Sequence, residues 1–462
     1  MHTSLKTDRT KPGAALPVVQ SAERRRWQIL KSNGAGFSDP VFTENRQQPL
    51  HRWVPWVAGF SAQFVREVLE KHLPAGGLVL DPFAGVGTTL LEAIRRGPDY
   101  RAVGFEINPY AAFAAQTKLG AACLLPSAFC AAIARFGQEA AKARPIEPPT
   151  GFRSRVPFFS PKVEAQVLKV LGWMEAQSPA ALQDLFRLAF ASVMVKFSNY
   201  TYEPSLGTRV AAGKPNIEDA SVLEIMEAKL AEMASDLDLF QAECPSPGQG
   251  KVYAASWTSC ESLLGPKSVN LVVTSPPYAN NYHYLRNTRP QLWWLGFVTS
   301  TEQMREIEEC SFGKYWQTVR EGPEVRLRFS FGMLANLLRK IRHTTNAKRI
   351  YGGYGWANYL ATYFNDSFDF LRGLSRLLAP GGAAVVVIGN SVVQGHEVKT
   401  DEIWAAMAQS KSVRLCVEGF EVVRKKRVGN SIINSSVRSG AESGVSLHES
   451  ILTLKKPRGR SK

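Results

Sequence analysis

The 462-residue chain is poor in cysteine: six are scattered at positions 123, 130, 244, 260, 310 and 416, and no two stand in C-x-x-C spacing. That argues against a disulfide framework and against a zinc site of paired thiolates, and the seven histidines form no ligand-spaced cluster with them. No metal is expected. Long apolar runs are missing too. No stretch approaches the ~20 residues of a membrane span, and the opening MHTSLKTDRTKPG lacks the apolar core of a signal peptide. The expectation is a cytoplasmic protein without a membrane partner. Acidic residues are in deficit, 40 against 56 basic ones, and the resulting net charge of +16 favours a polyanionic partner, nucleic acid first. What the chain has in quantity is core-forming material, 45% hydrophobic residues, enough to bury a sizeable interior.

Residues 1–45 are polar, basic and dotted with Pro and Gly, and read as a flexible arm. Behind Ser61 as N-cap, SAQFVREVLEKHL spaces its apolar residues for an amphipathic helix. LVLDPFAGVGTTLLEAIRRG follows as strand, glycine turn and helix, and RAVGFEINPYAAFAAQTKL repeats strand, acidic residue, turn and helix. This alternation predicts an α/β fold, a doubly wound, mostly parallel Rossmann-like sheet whose first part occupies 46–120. The alternation breaks over 121–250, where VEAQVLKVLGWMEAQ, ALQDLFRLAFASVMVKF and ASVLEIMEAKLAEMASDLDLF predict a mainly helical insertion. It resumes over 251–290 with KVYAAS and VNLVVTSPPY, gives way to a basic, aromatic-rich block at 291–362, and returns at 363–456 with helix, glycine turn, buried strand and the closing strand HESILTLKKP. Residues 457–462 form a basic tail. Gly85 and Ser275 lie 275 − 85 = 190 positions apart. Three strand-helix steps of ~30 residues account for ~90 of them, so roughly 100 residues are inserted.

Two stretches carry chemistry. In DPFAGVGTT, Gly85 and Gly87 permit a sharp turn and close approach of a ligand, ahead of a helix N-terminus that favours polar or negative groups. A nucleotide-like cofactor suits it, and a plain strand-helix turn is the bland alternative. The dinucleotide fingerprint fails, because Leu90 stands where its third glycine would be. Glu106 ends the next strand, where a carboxylate accepts hydrogen bonds from ribose hydroxyls. In TSPPY, Pro276 and Pro277 stop a strand and leave a stiff turn presenting the Ser275 hydroxyl, bare carbonyls and the Tyr278 ring.

DPFAGVGTT, FEINP and TSPPY in this order resemble the S-adenosylmethionine-dependent amino-methyltransferases of DNA, which modify cytosine N4 or adenine N6. The resemblance covers residues 50–120, 250–290 and 365–456. It implies S-adenosyl-L-methionine as cofactor and double-stranded DNA with a flipped target base as partner. It places Phe60, Ser61, Asp81, Phe83, Ala84, Gly85, Gly87, Thr88, Thr89, Glu106 and Asn108 around the cofactor, and Ser275, Pro276, Pro277 and Tyr278 at catalysis. The chemistry of the turn agrees. The lone pair of an exocyclic amine is delocalised into the ring, and two acceptors on its N–H groups push the nitrogen toward pyramidal geometry.

Serine ahead of Pro-Pro-Tyr is commoner in the cytosine-N4 members, so cytosine is the favoured target, in a restriction-modification or defence role with a cognate restriction endonuclease as candidate partner. Adenine-N6 methylation, guanosine-N2 methylation of transfer RNA and an inert nucleic-acid binder are the alternatives. One departure stands out: KVYAAS ends in Ala255 and Ser256 where the family places an acidic residue near adenine, leaving Trp257 as a stacking candidate. DNA contact falls to Arg326, Arg328, Arg339, Lys340 and Arg342 in the basic block, or to the helical insertion as target-recognition region.

Overall fold

Short strands, the central ones rich in Val, Leu and Ile and buried on both faces, pair into one seven-stranded sheet in the computed structural model. The structure describes residues 16–20, 37–38, 40, 42–56, 59–124, 126–202, 206–280, 282, 284–343, 354–424 and 447–458. Most of the expected arm and part of the basic tail lie outside the described residues.

Among these, the sheet contains β1 (Gly77–Asp81), β2 (Tyr100–Phe105), β3 (Gln249–Tyr253), β4 (Val269–Thr274), β5 (Leu378–Gly389), β6 (Cys416–Arg424) and β7 (Glu449–Lys455), in the order β6-β7-β5-β4-β1-β2-β3. β1 to β5 are mutually parallel, and β7 runs antiparallel to both β5 and β6. The sheet is therefore mostly parallel. Its central strands carry buried Val79, Leu80, Leu271, Val272, Val273 and Ala384 to Ile388, as expected where helices cover both faces. From β1 the chain builds outward to β3, then returns to lay β4 on the opposite side of β1. That reversal makes a topological switch point, and a crevice opens there at the carboxyl ends of β1 and β4. Both chemistry-bearing stretches follow those two ends.

α1 (Ala62–His72) is the helix expected behind Ser61, whose side chain accepts from Phe64 N at 3.2 Å. α2 (Thr88–Arg95) follows the glycine turn, and α3 (Pro109–Ala121) is capped by Asn108, whose Oδ1 accepts from Tyr110 N at 3.1 Å. In the first insertion α4 (Pro126–Lys142), α5 (Pro161–Glu175), α6 (Ala180–Val193) and α7 (Val222–Glu243) close on one another. The Trp173 ring lies 5.1 Å from Phe136 and 4.7 Å from Phe186 at their centre.

The insertion is continuous with the sheet's own core rather than a separate body. Asp236 on α7, 0% exposed, accepts from Leu50 N, Trp53 Nε1 and Arg52 Nε at 3.2, 3.0 and 3.0 Å. Removing one partner of such a buried charge costs on the order of 3–5 kcal/mol.

The structure departs from the sequence reading in three places. The insertion contains an antiparallel ribbon, Tyr200–Tyr202 with Leu206–Thr208, whose strands are too short to show alternation. One continuous helix, Tyr354–Leu377, crosses the expected boundary at 362/363, because its apolar spacing runs on unbroken from the aromatic block into the core. Residues 16–20, inside the expected arm, are docked: Val19 N donates to Ser330 O and Ser330 N to Pro17 O, both at 2.7 Å, and Val19 is buried. Val19 is the apolar anchor, while Leu16 and Val18 stay exposed. No single helix among the described residues is long and apolar enough to cross a membrane.

Candidate functional site

The crevice is braced from beneath by a carboxylate. Asp81, the last residue of β1, is 1% exposed. Its Oδ1 accepts from Thr274 Oγ1 at 2.7 Å and from Phe83 N at 3.1 Å, and its Oδ2 accepts from Thr89 Oγ1 at 2.8 Å. Thr89 Oγ1 also reaches Val273 O at 3.2 Å. One buried residue thus locks the end of β1, the start of α2 and the end of β4 together. Burial pushes the Asp81 carboxyl up to about 6, opposed by the hydrogen bonds from Thr274, Thr89 and Phe83.

Above this brace the chain turns through Gly85 and Gly87, at φ 51° and 88°. Each turn position needs glycine. A Cβ on Gly85 would stand 3.1 Å from Trp56 Nε1, and one on Gly87 would stand 2.9 Å from Ala115 Cβ. Glu106 closes the turn: its Oε2 accepts from Gly85 N and its Oε1 from Asn108 N, both at 2.8 Å. Burial pushes the Glu106 carboxyl up to about 7, while the Asn108 and Gly85 N–H groups favour the ionised form. Each carboxylate oxygen keeps lone pairs for a further donor. Behind the turn, fully buried Lys118 donates from Nζ to Val86 O at 3.2 Å. Burial lowers its ammonium to about 7.

These elements open onto a cleft lined on the glycine-turn side by Trp56, Phe83, Gly85, Glu106 and Trp257 and on the β4 side by Ser275, Pro277, Tyr278, Tyr282 and Tyr363. Ser275 Oγ and the Pro276 carbonyl make no hydrogen bond among the described residues; Ser275 lines the cleft, whereas Pro276 is buried and does not. Tyr278 sends its hydroxyl toward Glu449 Oε1 at 3.4 Å while its ring faces the cleft. Burial raises the Tyr363 hydroxyl well above its ordinary value, which keeps it protonated.

Of the residues singled out from the sequence, Phe83, Gly85, Glu106, Asn108, Ser275, Pro277 and Tyr278 line this cleft. Asp81 and Thr89 stand beneath it as the brace, and Ser61 is spent on capping α1. Phe60 packs edge-on against Phe64 at 5.9 Å. Asn108 spends its side chain on the α3 cap and on Thr288 Oγ1, at 2.8 Å. Trp257, held edge-on by Phe312 and Phe370, does face the cleft, next to Ser256.

Trp56 and Lys118 escaped the sequence reading. A lone Trp ahead of a helix carries no spacing signal, and a Lys on an Ala-rich helix reads as surface. Among the five basic-block residues, Arg328 is paired with Asp366 and Asp369 at 3.4 and 2.6 Å, and Arg342 with Glu324 at 2.8 Å. Arg326, Arg339 and Lys340 are exposed, and none of the five lines the cleft.

Residues 22–117 match the family model described as DNA methylase. The chain is similar to the Type II methyltransferase M.BsoBI of Geobacillus stearothermophilus, 21% identical, with 90% of this chain and 87% of that protein covered. It is likewise 21% identical to the Type II methyltransferase M.AvaI of Nostoc sp., with 90% and 88% covered. A solved structure it is similar to, TrmN from Thermus thermophilus, is 11% identical, with 89% of this chain and 53% of that one covered; its TM-score of 0.30 carries no argument.

Proposed function

We propose that this chain, which belongs to the DNA amino-methyltransferase family, methylates DNA at the exocyclic N4 amine of cytosine, with S-adenosyl-L-methionine as methyl donor. The observation that carries the reading is Ser275 Oγ, an uncommitted acceptor in the cleft wall at the strand end beside the glycine turn. The residues on the glycine-turn side of the cleft fit the donor. Gly85 leaves room that a side chain would fill, Glu106 offers acceptor lone pairs for ribose hydroxyls, and Phe83, Trp56 and Trp257 offer apolar faces for a base and an alkyl chain. With Ala255 and Ser256 at the end of β3, aromatic contact replaces the carboxylate that the family uses near adenine.

When bound, the cofactor supplies an electrophilic methyl group on a sulfonium. The chain's own residues do the rest by placement. Tyr278 stacks on a base turned out of the duplex. Ser275 Oγ and Pro276 O accept the two amine N–H bonds, which localises the nitrogen lone pair. The Asp81 brace holds that turn in fixed register with the glycine turn, so the acceptors need no reorganisation as charge shifts. The serine ahead of Pro-Pro-Tyr favours cytosine over adenine N6. The similarity to Type II methyltransferases supports a protective role beside a restriction endonuclease that recognises the same site.

The test is to treat DNA with the enzyme and methyl-labelled cofactor, then digest to nucleosides. N4-methylcytosine is expected. Labelled N6-methyladenine would overturn the choice of base, and no labelled nucleoside would overturn the reading.

A further inference from the structure

The ribbon that the sequence did not reveal is tied to the cleft. Tyr202 donates its hydroxyl to Asn287 O at 3.0 Å and accepts from Gln291 Nε2 at 3.2 Å, and Leu206 N donates to Asn287 Oδ1 at 3.1 Å. Asn287 Nδ2 in turn donates to the hydroxyl of Tyr282, which lines the cleft. The ribbon is therefore bolted to the helical segment that follows TSPPY. Tyr202 still leaves 37% of its surface open, since only its hydroxyl end is tucked in.

Charge gathers on the same side. Arg155 N donates to the Tyr200 hydroxyl at 3.1 Å, and Arg153 and Arg155 are exposed. Exposed Arg286 follows Leu285 of the cleft wall, and its charge is felt by Tyr315 on that wall. Among the described residues none of these three arginines makes an ion pair, unlike Arg328 and Arg342 in the basic block. An arginine already held by a carboxylate must surrender that partner before it neutralises a phosphate. An unpaired one on the rim does not.

We propose that the paired strands Tyr200–Tyr202 and Leu206–Thr208, with Arg153, Arg155 and Arg286, form the surface that grips the DNA duplex beside the target base. A two-stranded ribbon fits the major groove, and the arginines flank it as phosphate contacts. The proposal rests on the methyltransferase reading and says which face of the molecule meets the duplex. Of the two regions the sequence offered for DNA contact, it favours the first insertion, joined by Arg286 beside TSPPY, over the basic block.

The test measures duplex binding by fluorescence anisotropy from 50 to 300 mM KCl for wild type, for the triple variant Arg153→Gln, Arg155→Gln, Arg286→Gln, and for the pair Arg326→Gln, Arg339→Gln. The triple variant should flatten the plot of log affinity against log salt by roughly one unit of slope per arginine, and the pair should leave it unchanged. Unchanged S-adenosylmethionine affinity in the triple variant shows that it is folded. A wild-type slope in the triple variant, or a flattened slope in the pair alone, overturns the surface while the methyltransferase reading stands. A wild type that binds RNA but transfers no methyl group to DNA overturns both.

Discussion

Two strand ends of one sheet meet in the cleft, and they treat hydrogen bonds in opposite ways. At β1 and β2 nearly every polar group is engaged: Gly85 N and Asn108 N with Glu106, Val86 O with Lys118, and Asp81 with three partners. At β4 the Ser275 hydroxyl and the Pro276 carbonyl are left without partners among the described residues. A binding end gains from being fully formed before its ligand arrives, since ordering costs are then already met. A reacting end must keep its acceptors for the group whose electrons it rearranges. The Asp81–Thr274 bond joins the two, so damage at each end should give a different signature.

The largest effect is expected from Gly85→Asp, which forces a side chain into the left-handed region and against Trp56 and places a carboxylate beside Glu106. S-adenosylmethionine affinity by calorimetry should fall by about 100-fold or more, since backbone strain of ~1–3 kcal/mol adds to like-charge repulsion. Unchanged affinity would remove the glycine turn from the binding end. Next is Tyr278→Ala. Loss of base stacking of roughly 1–3 kcal/mol should lower kcat/KM for DNA while cofactor affinity holds, and a loss confined to thermal stability would make Tyr278 a packing residue.

Much of this was legible in the sequence because the signals were local. Strand, glycine turn and helix in DPFAGVGTT, and the Pro-Pro stop after β4, are written in consecutive residues. The cleft end of each follows from the doubly wound order alone. What escaped depends on long-range packing. That Asp81 would look across at Thr274 rather than into the cleft is decided by a strand 193 residues away. The paired strands Tyr200–Tyr202 and Leu206–Thr208 are too short for hydrophobic alternation, and their anchor, Asn287, lies 85 residues beyond Tyr202. Arg328 and Arg342 looked available because the carboxylates that hold them, Asp366, Asp369 and Glu324, come from other turns of the chain.

A smaller effect sharpens the binding end by pH. The Glu106 carboxyl titrates near 7, raised by burial, so it is ionised above that pH and protonated below it. The ionised form has more lone pairs for ribose hydroxyls, so wild-type cofactor affinity should rise with pH through about 7, by up to the ~1–3 kcal/mol of such bonds. Glu106→Gln should be weaker and flatter across the same window, and an equal slope in both proteins would assign the titration elsewhere.

The smallest is Lys118→Met. A lysine whose ammonium is lowered to about 7 by burial holds fewer protons folded than unfolded between pH 7 and its usual 10.5, so wild-type stability gains across that window as pH rises. Replacement should raise Tm by a few degrees near pH 7, with the advantage shrinking toward pH 10. A constant difference would mean that the lysine keeps its ammonium in the folded protein, so that burial does not lower its pKa.

The central claim is that the β4 end does the chemistry through acceptors it holds in reserve. Single-turnover methylation of duplex DNA by Ser275→Ala, with cofactor and DNA affinities measured on the same protein, tests it most directly. The rate should fall by ~100-fold or more, as when one preorganised hydrogen-bonding group is removed from a reacting centre, with both affinities within a few-fold of wild type. A wild-type single-turnover rate would contradict the account and leave TSPPY as a strand stop.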